Sequence, residues 1–403
     1  MTDPSRVHVS GALQPFAIGF ASELARQGYR SGSQAQQLRL MAHVSRWLGS
    51  NDLDVADFPR HAERFLQVRR AAGYRCLWTS RALRPLLMHL QRRGATPPGP
   101  PRIPSGPVDE GLARYSRYLI VERGLSGRTV DGYVHAVRPF LHRCISADGL
   151  ALDIDQLTEA DVTAFMVARC REQSRGAAQL TATALRSLLR FLHVAGATTD
   201  SLAGAVPSVD SRRLAGLPSR LEPEHVRRLL AACDRRTLGG SRDFAVITTL
   251  ARLGLRAAEV ATLRLNDVHW RVGELVVHGK GRRAERVPLP SDVGAALVAY
   301  LHRRPATAQG RTLFVRLAAP HVPFSPTAVA HIVAGAAQRA GLDHVSAHQL
   351  RHFAATQLLR AGAPLSEIQD FLRHARMQTT AIYAKVDRDA LRAIARPWPG
   401  GVA

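Results

Sequence analysis

A proline-rich stretch at residues 96–107, TPPGPPRIPSGP, limits most strongly what this chain can form. Proline lacks a backbone donor and its ring clashes with the preceding helical turn, so the stretch is typical of a semi-rigid linker. A second, weaker break is the sequence SVDSRRLAGLP at residues 208–218. Because 403 residues are too many for one ordinary core, we predict three domains, which with their linkers span residues 1–104, 105–218 and 219–403.

The first two domains resemble each other in sequence. The segments ALRPLLMHL, from Ala82, and ALRSLLRFL, from Ala184, are each followed by Gly-Ala-Thr, at residues 94–96 and 196–198. Nine of these fifteen aligned positions are identical, at a constant offset of 102. We interpret this as an internal duplication, with chance similarity between two helices rich in arginine and leucine as the alternative. Each copy is predicted to be a bundle of about four amphipathic helices.

The third domain alternates helical and strand-like patterns. Two strand-like runs, at residues 274–278 and 286–289, flank the glycine-containing turn GKGRR, which predicts a β-hairpin. Helical patterns occupy residues 222–233, 242–253, 257–263, 292–303, 326–340, 347–360, 365–372 and 378–385. We therefore predict a mainly α chain with a small antiparallel β-sheet in the C-terminal domain.

The charge balance indicates the kind of partner. Lysine and arginine number 55 against 32 acidic residues, which gives a net charge of +23. Such an excess predicts a polyanionic partner, above all nucleic acid, although a basic protein from a GC-rich genome would have a similar composition. Nearly all of the positive charge is arginine, and the two lysines are Lys280 and Lys385.

Other classes of protein are disfavoured by composition. The cysteines are widely scattered and form no C-x-x-C pair, which argues against a zinc site or a disulfide scaffold: Cys76, Cys144, Cys170 and Cys233. No apolar run resembles a signal peptide or approaches the length of a membrane span. We therefore expect a protein of a reducing cytoplasm that uses no metal ion, cofactor or membrane.

Two short motifs combine groups suited to phosphoryl transfer. In HQLRH, His348 and Arg351 are three positions apart and share a helix face. An imidazole can move a proton near neutral pH and a guanidinium can bind two phosphate oxygens, although a solvated helix face would have the same pattern. In LGLRAAEV, Glu259 follows Arg256 by one turn and is predicted to hold it in place, with a surface ion pair as the alternative.

Two further regions carry candidate reactive groups. Lys280 lies between two glycines at the tip of the predicted hairpin, and its ammonium, unlike a guanidinium, can give up a proton. A solvated turn is the alternative for this lysine. His374 ends a helical pattern, and Tyr383, nine residues later, is either a reactive phenol or a core residue. Tyr300, in the apolar segment AALVAYLHRR, is interpreted as a residue of the core or of its edge.

Taken in chain order, these motifs resemble one family, the tyrosine recombinases or phage integrases. The resemblance covers roughly residues 219–390 and includes the first arginine box, the β-hairpin lysine motif, the H-x-L-R-H box and the histidine–tyrosine box, here LGLRAAEVATLRLNDV, GKGRRAERVPLP, HQLRHFAATQLLRAG and LRHARMQTTAIYAKV. Residues 108–207 resemble the family's helical SAM-like core-binding domain, and residues 1–96 are an additional copy. The resemblance implies helical SAM-like DNA-binding domains followed by a mixed α/β catalytic domain.

The resemblance also implies which side chains bind the scissile phosphate. Arg256 and Arg351 would neutralise its charge, His374 would donate a hydrogen bond to it, and Glu259 would support the site structurally. The sequence departs from the family at one position, because the family usually has glycine before the second histidine and this chain has Arg373. That departure bears on where the preceding helix ends.

The same resemblance implies the covalent chemistry. Tyr383 would be the nucleophile, His348 would accept a proton and later donate it, and Lys280 would protonate the leaving 5′ oxygen. A phenol has a pKa of about 10 and is mostly protonated at neutral pH, so it needs a positive field and a proton acceptor. The product would be a covalent 3′-phosphotyrosine, and a second round through a Holliday junction would exchange the strands.

Several arginines are candidates for holding DNA, mostly at its phosphates: Arg128, Arg138, Arg186, Arg190, Arg282, Arg283 and Arg286. The C-terminal sequence RDALRAIARPW, at residues 388–398, is an amphipathic stub. In this family such a tail often docks on a neighbouring protomer, which implies a homotetramer on paired sites of double-stranded DNA; packing in cis is the alternative. Accessory recombinases and DNA-bending proteins are further candidate partners.

The function predicted from these observations is site-specific DNA recombination, as an integrase or transposase of a mobile element. A type IB topoisomerase would share the chemistry but relax DNA without a partner site, and the hairpin motif and the two helical copies favour the recombinase. A catalytically inactive DNA-binding regulator on the same fold is a second alternative, although all six catalytic positions are filled. A basic helical scaffold protein would leave the four ordered motifs unexplained. The extra N-terminal copy predicts a longer DNA footprint or a second DNA segment.

Overall fold

The computed structural model describes residues 3–97, 106–209, 221–279, 284–308 and 310–373. These residues are mainly helical and include a three-stranded antiparallel sheet, so the predicted fold class is confirmed. By its internal contacts the chain divides into two units, Pro100–Arg213 and the combination of Met1–Gly99 with Leu214–Ala403. Within the second unit, the N-terminal and C-terminal parts have separate hydrophobic cores, and the division into three domains stays a prediction.

The N-terminal part, as described over residues 3–97, forms four α-helices: α1 (Ala17–Arg26), α2 (Ser31–Ser50), α3 (Phe58–Ala71) and α4 (Ser80–Arg92). Leu38, Met41, Val44 and Leu48 recur along one face of α2 and are all buried. This spacing produces the apolar stripe that lets an amphipathic helix pack against its neighbours.

The described residues of the unit Pro100–Arg213, 106–209, also form four α-helices: α5 (Pro107–Val121), α6 (Gly127–Arg143), α7 (Glu159–Glu172) and α8 (Arg175–Val194). The Ser126 side chain accepts from the Thr129 backbone N–H and starts α6. Thr158 and Asp161 form a reciprocal capping box at the start of α7. Such caps satisfy backbone donors that have no partner inside the helix.

The last helices of the two four-helix groups end in the same way. Gly94 and Gly196, which follow α4 and α8, both have a φ of +71°, a conformation that glycine adopts without a steric penalty. The next backbone N–H in each case donates to a carbonyl five residues earlier, Ala95 to Leu90 at 3.0 Å and Ala197 to Leu192 at 2.9 Å. This shared geometry supports the interpretation of an internal duplication.

The C-terminal part contains seven described α-helices: α9 (Pro223–Ala231), α10 (Leu238–Leu253), α11 (Ala257–Thr262), α12 (Ser291–Leu301), α13 (Pro326–Arg339), α14 (Ala347–Arg360) and α15 (Leu365–Leu372). Its sheet has the order β1 (Val268–His269), β2 (Glu274–His278) and β3 (Ala284–Pro288). The antiparallel pairing of β2 with β3 agrees with the predicted hairpin. The predicted helix at residues 378–385 lies outside the described residues.

The core of this part is centred on α10, which is buried along most of its length and packs against α12 and α14. Tyr300 on α12 is fully buried, stacks on Phe314 with ring centroids 5.3 Å apart, and accepts a hydrogen bond from the Val315 N–H. Its assignment to the core is therefore confirmed. No helix in the described part of the chain is long and apolar enough to cross a membrane.

Candidate active site

The end of α10 places the first candidate arginine. α10 ends at Gly254, whose left-handed backbone (φ +56°, ψ 27°) turns the chain so that Arg256 precedes α11 in an extended conformation. Glu259, one turn into α11, accepts the Arg256 backbone N–H at 2.8 Å and its Nη1 at 2.6 Å. The Arg256 side chain keeps 45% exposure, whereas that of Glu259 keeps 4%. A buried carboxylate thus holds one terminal nitrogen of an accessible guanidinium.

Glu259 has a second cationic partner. Arg373 Nη2 lies 3.1 Å from Glu259 Oε2, and both side chains are almost completely buried. Burial by itself would raise the pKa of Glu259, but the hydrogen bond from the Arg256 backbone and the positive charges of Arg373 and Arg256 outweigh it. The pKa of Glu259 therefore lies below its ordinary value, and the carboxylate is ionised at neutral pH.

The second candidate arginine, Arg351 on α14, is 2% exposed. Its Nη1 donates to the Gly254 carbonyl at 2.5 Å, and its Nη2 donates to the Leu372 carbonyl. These carbonyls lie at the C-terminal ends of α10 and α15, where helices present acceptors without a partner of their own. Arg351 therefore joins three helices at the point from which Arg256 emerges.

Two histidines lie at the N-terminal end of α14. Ser346 and Gln349 form a capping box that starts this helix, which places His348 in its first turn. His348 Nε2 and His352 Nε2 are 2.9 Å apart, with ring centroids separated by 4.2 Å. A hydrogen bond between two imidazole rings needs an N–H donor on one ring and a nitrogen lone pair on the other, so at least one of the two rings is neutral.

The pKa values of both histidines favour the neutral form. Burial, followed by the charges of Arg351 and Arg256, lowers the pKa of His348. Burial, together with His348 and Arg351, lowers the pKa of His352 to about 4. His348 is therefore available as a proton acceptor at neutral pH, beside two permanent cations.

The structure brings together four of the predicted site residues, from elements far apart in the chain: Arg256, Glu259, His348 and Arg351. The remaining predicted catalytic residues and two basic residues of the hairpin lie outside the described residues: Lys280, His374, Tyr383, Arg282 and Arg283. The described part of the predicted site is thus a cationic cluster with a neutral histidine at its edge.

Two predicted DNA-binding arginines have partners inside their own unit. Arg186 donates to the backbone carbonyls of Val206 and Pro207, at 2.9 and 3.0 Å. Arg138 forms an ion pair with Asp109 at 2.7 Å. Arg186 therefore has a structural task, since it attaches the segment after α8 to that helix.

The other described arginines of this group are more accessible. Arg128 and Arg190 are exposed on α6 and α8. Arg286 on β3 pairs with Glu274 on β2 at 3.2 Å, and its side chain is 69% exposed. Contact of these residues with DNA stays a prediction.

Sequence reasoning missed the part played by Arg373, which it recorded only as a departure from the family pattern. Arg373 ends α15 with a left-handed backbone (φ +54°) and contributes a buried guanidinium to the site. The available signal was the residue type: the position just after a helix end favours glycine, and this chain has an arginine there. The sequence alone could not show that this side chain reaches Glu259.

Comparison with known proteins decides the family. Residues 219–389 match the phage integrase family profile, and residues 112–196 match the profile of the phage integrase N-terminal SAM-like domain. Integrase/recombinase y4rA of Sinorhizobium fredii is 39% identical over 398 residues, which cover 97% of this chain and 95% of that protein. The chain belongs to the phage integrase family of tyrosine recombinases. It is a site-specific DNA recombinase, an enzyme that cleaves DNA strands and rejoins them.

Other relatives agree with this assignment. Tyrosine recombinase XerD of Listeria monocytogenes is 31% identical over 295 residues, which cover 71% of this chain and 97% of that protein. The solved lambda integrase (residues 75–356) dimer bound to a COC′ core site has a TM-score of 0.54 at 18% identity, and covers 73% of this chain and 98% of that one. The Tn1549 transposon integrase in complex with circular intermediate DNA gives 0.52 at 15% identity, with 72% and 100% covered. These two structures share the fold of this recombinase.

Proposed function

We propose that this recombinase cleaves DNA by attack of Tyr383 on a phosphodiester whose charge Arg256 and Arg351 neutralise, and that it serves a mobile element. The observation that carries the proposal is the convergence of these two arginines with His348, whose pKa is lowered by burial and then by their charges. Cations and a neutral base in one place are what phosphodiester cleavage by a phenol requires.

The two arginines differ in how they would act on the phosphate. Arg256 is anchored by Glu259 yet has a half-exposed side chain, so its planar fork can bind phosphate oxygens directly. Arg351 is buried and bound to backbone carbonyls, so it adds fixed positive charge beneath the site. Charges held in place before the reaction need no rearrangement as negative charge develops on the phosphate.

The proton transfers follow from the same arrangement. His348 takes the phenolic proton as the Tyr383 oxygen bonds to phosphorus, and the bond to the 5′ oxygen breaks with its electron pair on that oxygen. Lys280 gives the leaving oxygen a proton, and His374 donates a hydrogen bond to the phosphate. A new phosphodiester to tyrosine replaces the old one, so the energy of the bond is kept and rejoining needs no nucleotide cofactor.

The assembly and the biological setting of this recombinase are inferred from its relatives. A lambda integrase tetramer bound to a Holliday junction has the same fold, with a TM-score of 0.53 at 17% identity. We infer that four copies of this chain act on two paired sites in double-stranded DNA, in the bacterial cytoplasm. The tail at residues 388–398 would join neighbouring protomers, and accessory recombinases or DNA-bending proteins would assist. Relatives named as integrases and a transposon integrase support a mobile element as the source.

Covalent trapping tests the proposed chemistry. Purified protein is incubated with duplexes tiled from the DNA that flanks its gene, each with a nick or a 5′-bridging phosphorothiolate, and the products are separated after denaturation. We expect a protein–DNA adduct that Tyr383→Phe abolishes and Arg256→Ala reduces by about 10²-fold or more. Tight binding without an adduct on any duplex would instead indicate a DNA-binding regulator, and relaxation of plasmids lacking paired sites would indicate topoisomerase activity.

A further inference from the structure

Arg373 occupies a backbone position that disfavours an arginine. It follows the last residue of α15 with φ +54° and ψ 48°, in the left-handed region where a side chain costs free energy and glycine does not. The neighbouring contacts that close this helix end, such as the Arg373 N–H to the Asp370 carbonyl at 2.9 Å, need only the backbone. The arginine side chain is therefore not required for ending the helix.

The side chain instead turns inward to Glu259. Only 5% of it is exposed, its Nη2 lies 3.1 Å from Glu259 Oε2, and its Nη1 donates to the Phe371 carbonyl at 3.0 Å. The contact with Glu259 joins residues 114 positions apart in the chain. A guanidinium loses hydration when it is buried, so its partner has to compensate for that loss.

The side chains of Arg256, Glu259 and Arg373 are linked to one another by hydrogen bonds through the Glu259 carboxylate. Glu259 accepts Arg256 Nη1 on Oε1, and accepts the Arg256 backbone N–H and Arg373 Nη2 on Oε2. The Arg373 carbonyl also lies 3.5 Å from Arg256 Nη2, at the limit of a hydrogen bond. Arg373 thus contacts both the carboxylate that anchors Arg256 and Arg256 itself.

The contact between Arg373 and Glu259 changes the net charge beside Arg256. Glu259 and Arg256 alone would be electrically neutral as a pair, and a neutral pair attracts a phosphate weakly. With Arg373 the same set carries one net positive charge, and the buried carboxylate no longer depends on Arg256 alone. Arg256 can then direct its accessible donors to another anion.

We propose that Arg373 is a positioning residue that holds the Glu259 carboxylate. Arg256 is thereby oriented to the scissile phosphate, and the three side chains together keep one net positive charge that attracts this phosphate. This inference rests on the proposed role of Arg256. It concerns this chain's own arginine, and assigns it to orientation of the phosphate-binding group rather than to contact with DNA.

The central variant is Arg373→Gly, which removes the side chain and suits the left-handed backbone, so the helix end is preserved. Single-turnover cleavage of a nicked substrate and the equilibrium Kd for the same DNA are measured separately. We expect the cleavage rate to fall by about 10- to 100-fold, the usual range for outer partners of a reacting group, and Kd to change less than about threefold. Arg373→Lys, which keeps the charge, should restore part of the rate. Arg360→Ala, which removes an exposed arginine at the end of α14 that pairs with Glu222, should leave both quantities unchanged.

A double-mutant cycle with Glu259→Gln identifies the route of the effect. If Arg373 acts through the carboxylate, adding Arg373→Gly to Glu259→Gln will slow cleavage by less than about twofold beyond Glu259→Gln alone. Equal slowing in both backgrounds, or a wild-type rate in Arg373→Gly, would overturn the inference. Arg256→Ala separates the two proposals: a wild-type rate in Arg256→Ala contradicts the proposed site itself, whereas a loss in Arg256→Ala with none in Arg373→Gly contradicts only the role of Arg373.

Discussion

Arg351 Nη1 donates to the Gly254 carbonyl at 2.5 Å, which joins α14 to the end of α10 across 97 residues of sequence. The contact depends on the conformation of the glycine, whose φ of +56° turns the chain toward Arg256. A Cβ at this position would also lie 2.9 Å from Phe371 Cε1 and 3.2 Å from Leu372 Cδ2. Both the backbone and the available space therefore require glycine here.

We therefore expect Gly254→Ala to destabilise the protein by about 1–3 kcal/mol, because it adds left-handed strain and crowds the end of α15. Cleavage should slow as well, since the same carbonyl receives Arg351. Urea unfolding and single-turnover cleavage measure the two effects. Gly132→Ala is the matched control, because a Cβ at this helical position on α6 meets no described atom beyond the adjoining backbone of its own helix within 4 Å, and it should be neutral or slightly stabilising. Equal behaviour of the two variants would contradict this account.

The low pKa of His352 predicts a dependence of stability on pH. The folded protein holds this pKa at about 4, below the ordinary value of 6.5, so between these pH values the unfolded chain binds a proton that the folded chain does not. The free energy of unfolding should therefore fall as the pH is lowered from 6.5 toward 4. His352→Gln should reduce the slope in urea unfolding between pH 7 and pH 5. Replacing the exposed His344 with glutamine is the control, and an identical slope in His352→Gln and wild type would contradict the prediction.

How far the sequence predicts this molecule depends on whether the determining interaction is local. The bounds of α14 and β2 agree with the predicted 347–360 and 274–278, because a serine cap starts the helix and a short apolar run, residues 275–277, defines the strand. α10 begins four residues before its predicted start, since Thr237 caps a first turn that contains two glycines. The pairing of Glu259 with Arg373 could not be predicted, because it depends on a tertiary contact and on a backbone conformation that arginine seldom adopts.

The contrast between two neighbouring arginines on α8 gives a third prediction. Arg186→Ala removes hydrogen bonds to the Val206 and Pro207 carbonyls and should lower the free energy of unfolding by about 1–2 kcal/mol. Arg190 is exposed, so Arg190→Ala should leave stability within about 0.5 kcal/mol of wild type. If Arg190 contacts a phosphate, its loss should weaken DNA binding and reduce the slope of log K against log salt by about 1. Binding titrations at several salt concentrations test this, and an unchanged slope would remove Arg190 from the interface.

The N-terminal part gives the last prediction. The family profiles match residues 112–196 and 219–389, and 97% of XerD from Listeria monocytogenes aligns with 71% of this chain, so family members exist whose length leaves no room for a second four-helix group. We expect the additional four helices to contact DNA beyond the core site.

Deletion of residues 1–104 should therefore shorten the protected footprint, while the covalent adduct on a minimal nicked site is retained. Both footprints are measured in a Tyr383→Phe background so that cleavage does not obscure them, and adduct formation by the otherwise wild-type deletion variant shows that the remaining chain is folded. A footprint of unchanged length in a variant that still forms the adduct would mean that these helices act on another partner, because a helical group that lies on the DNA must shield the nucleotides beneath it.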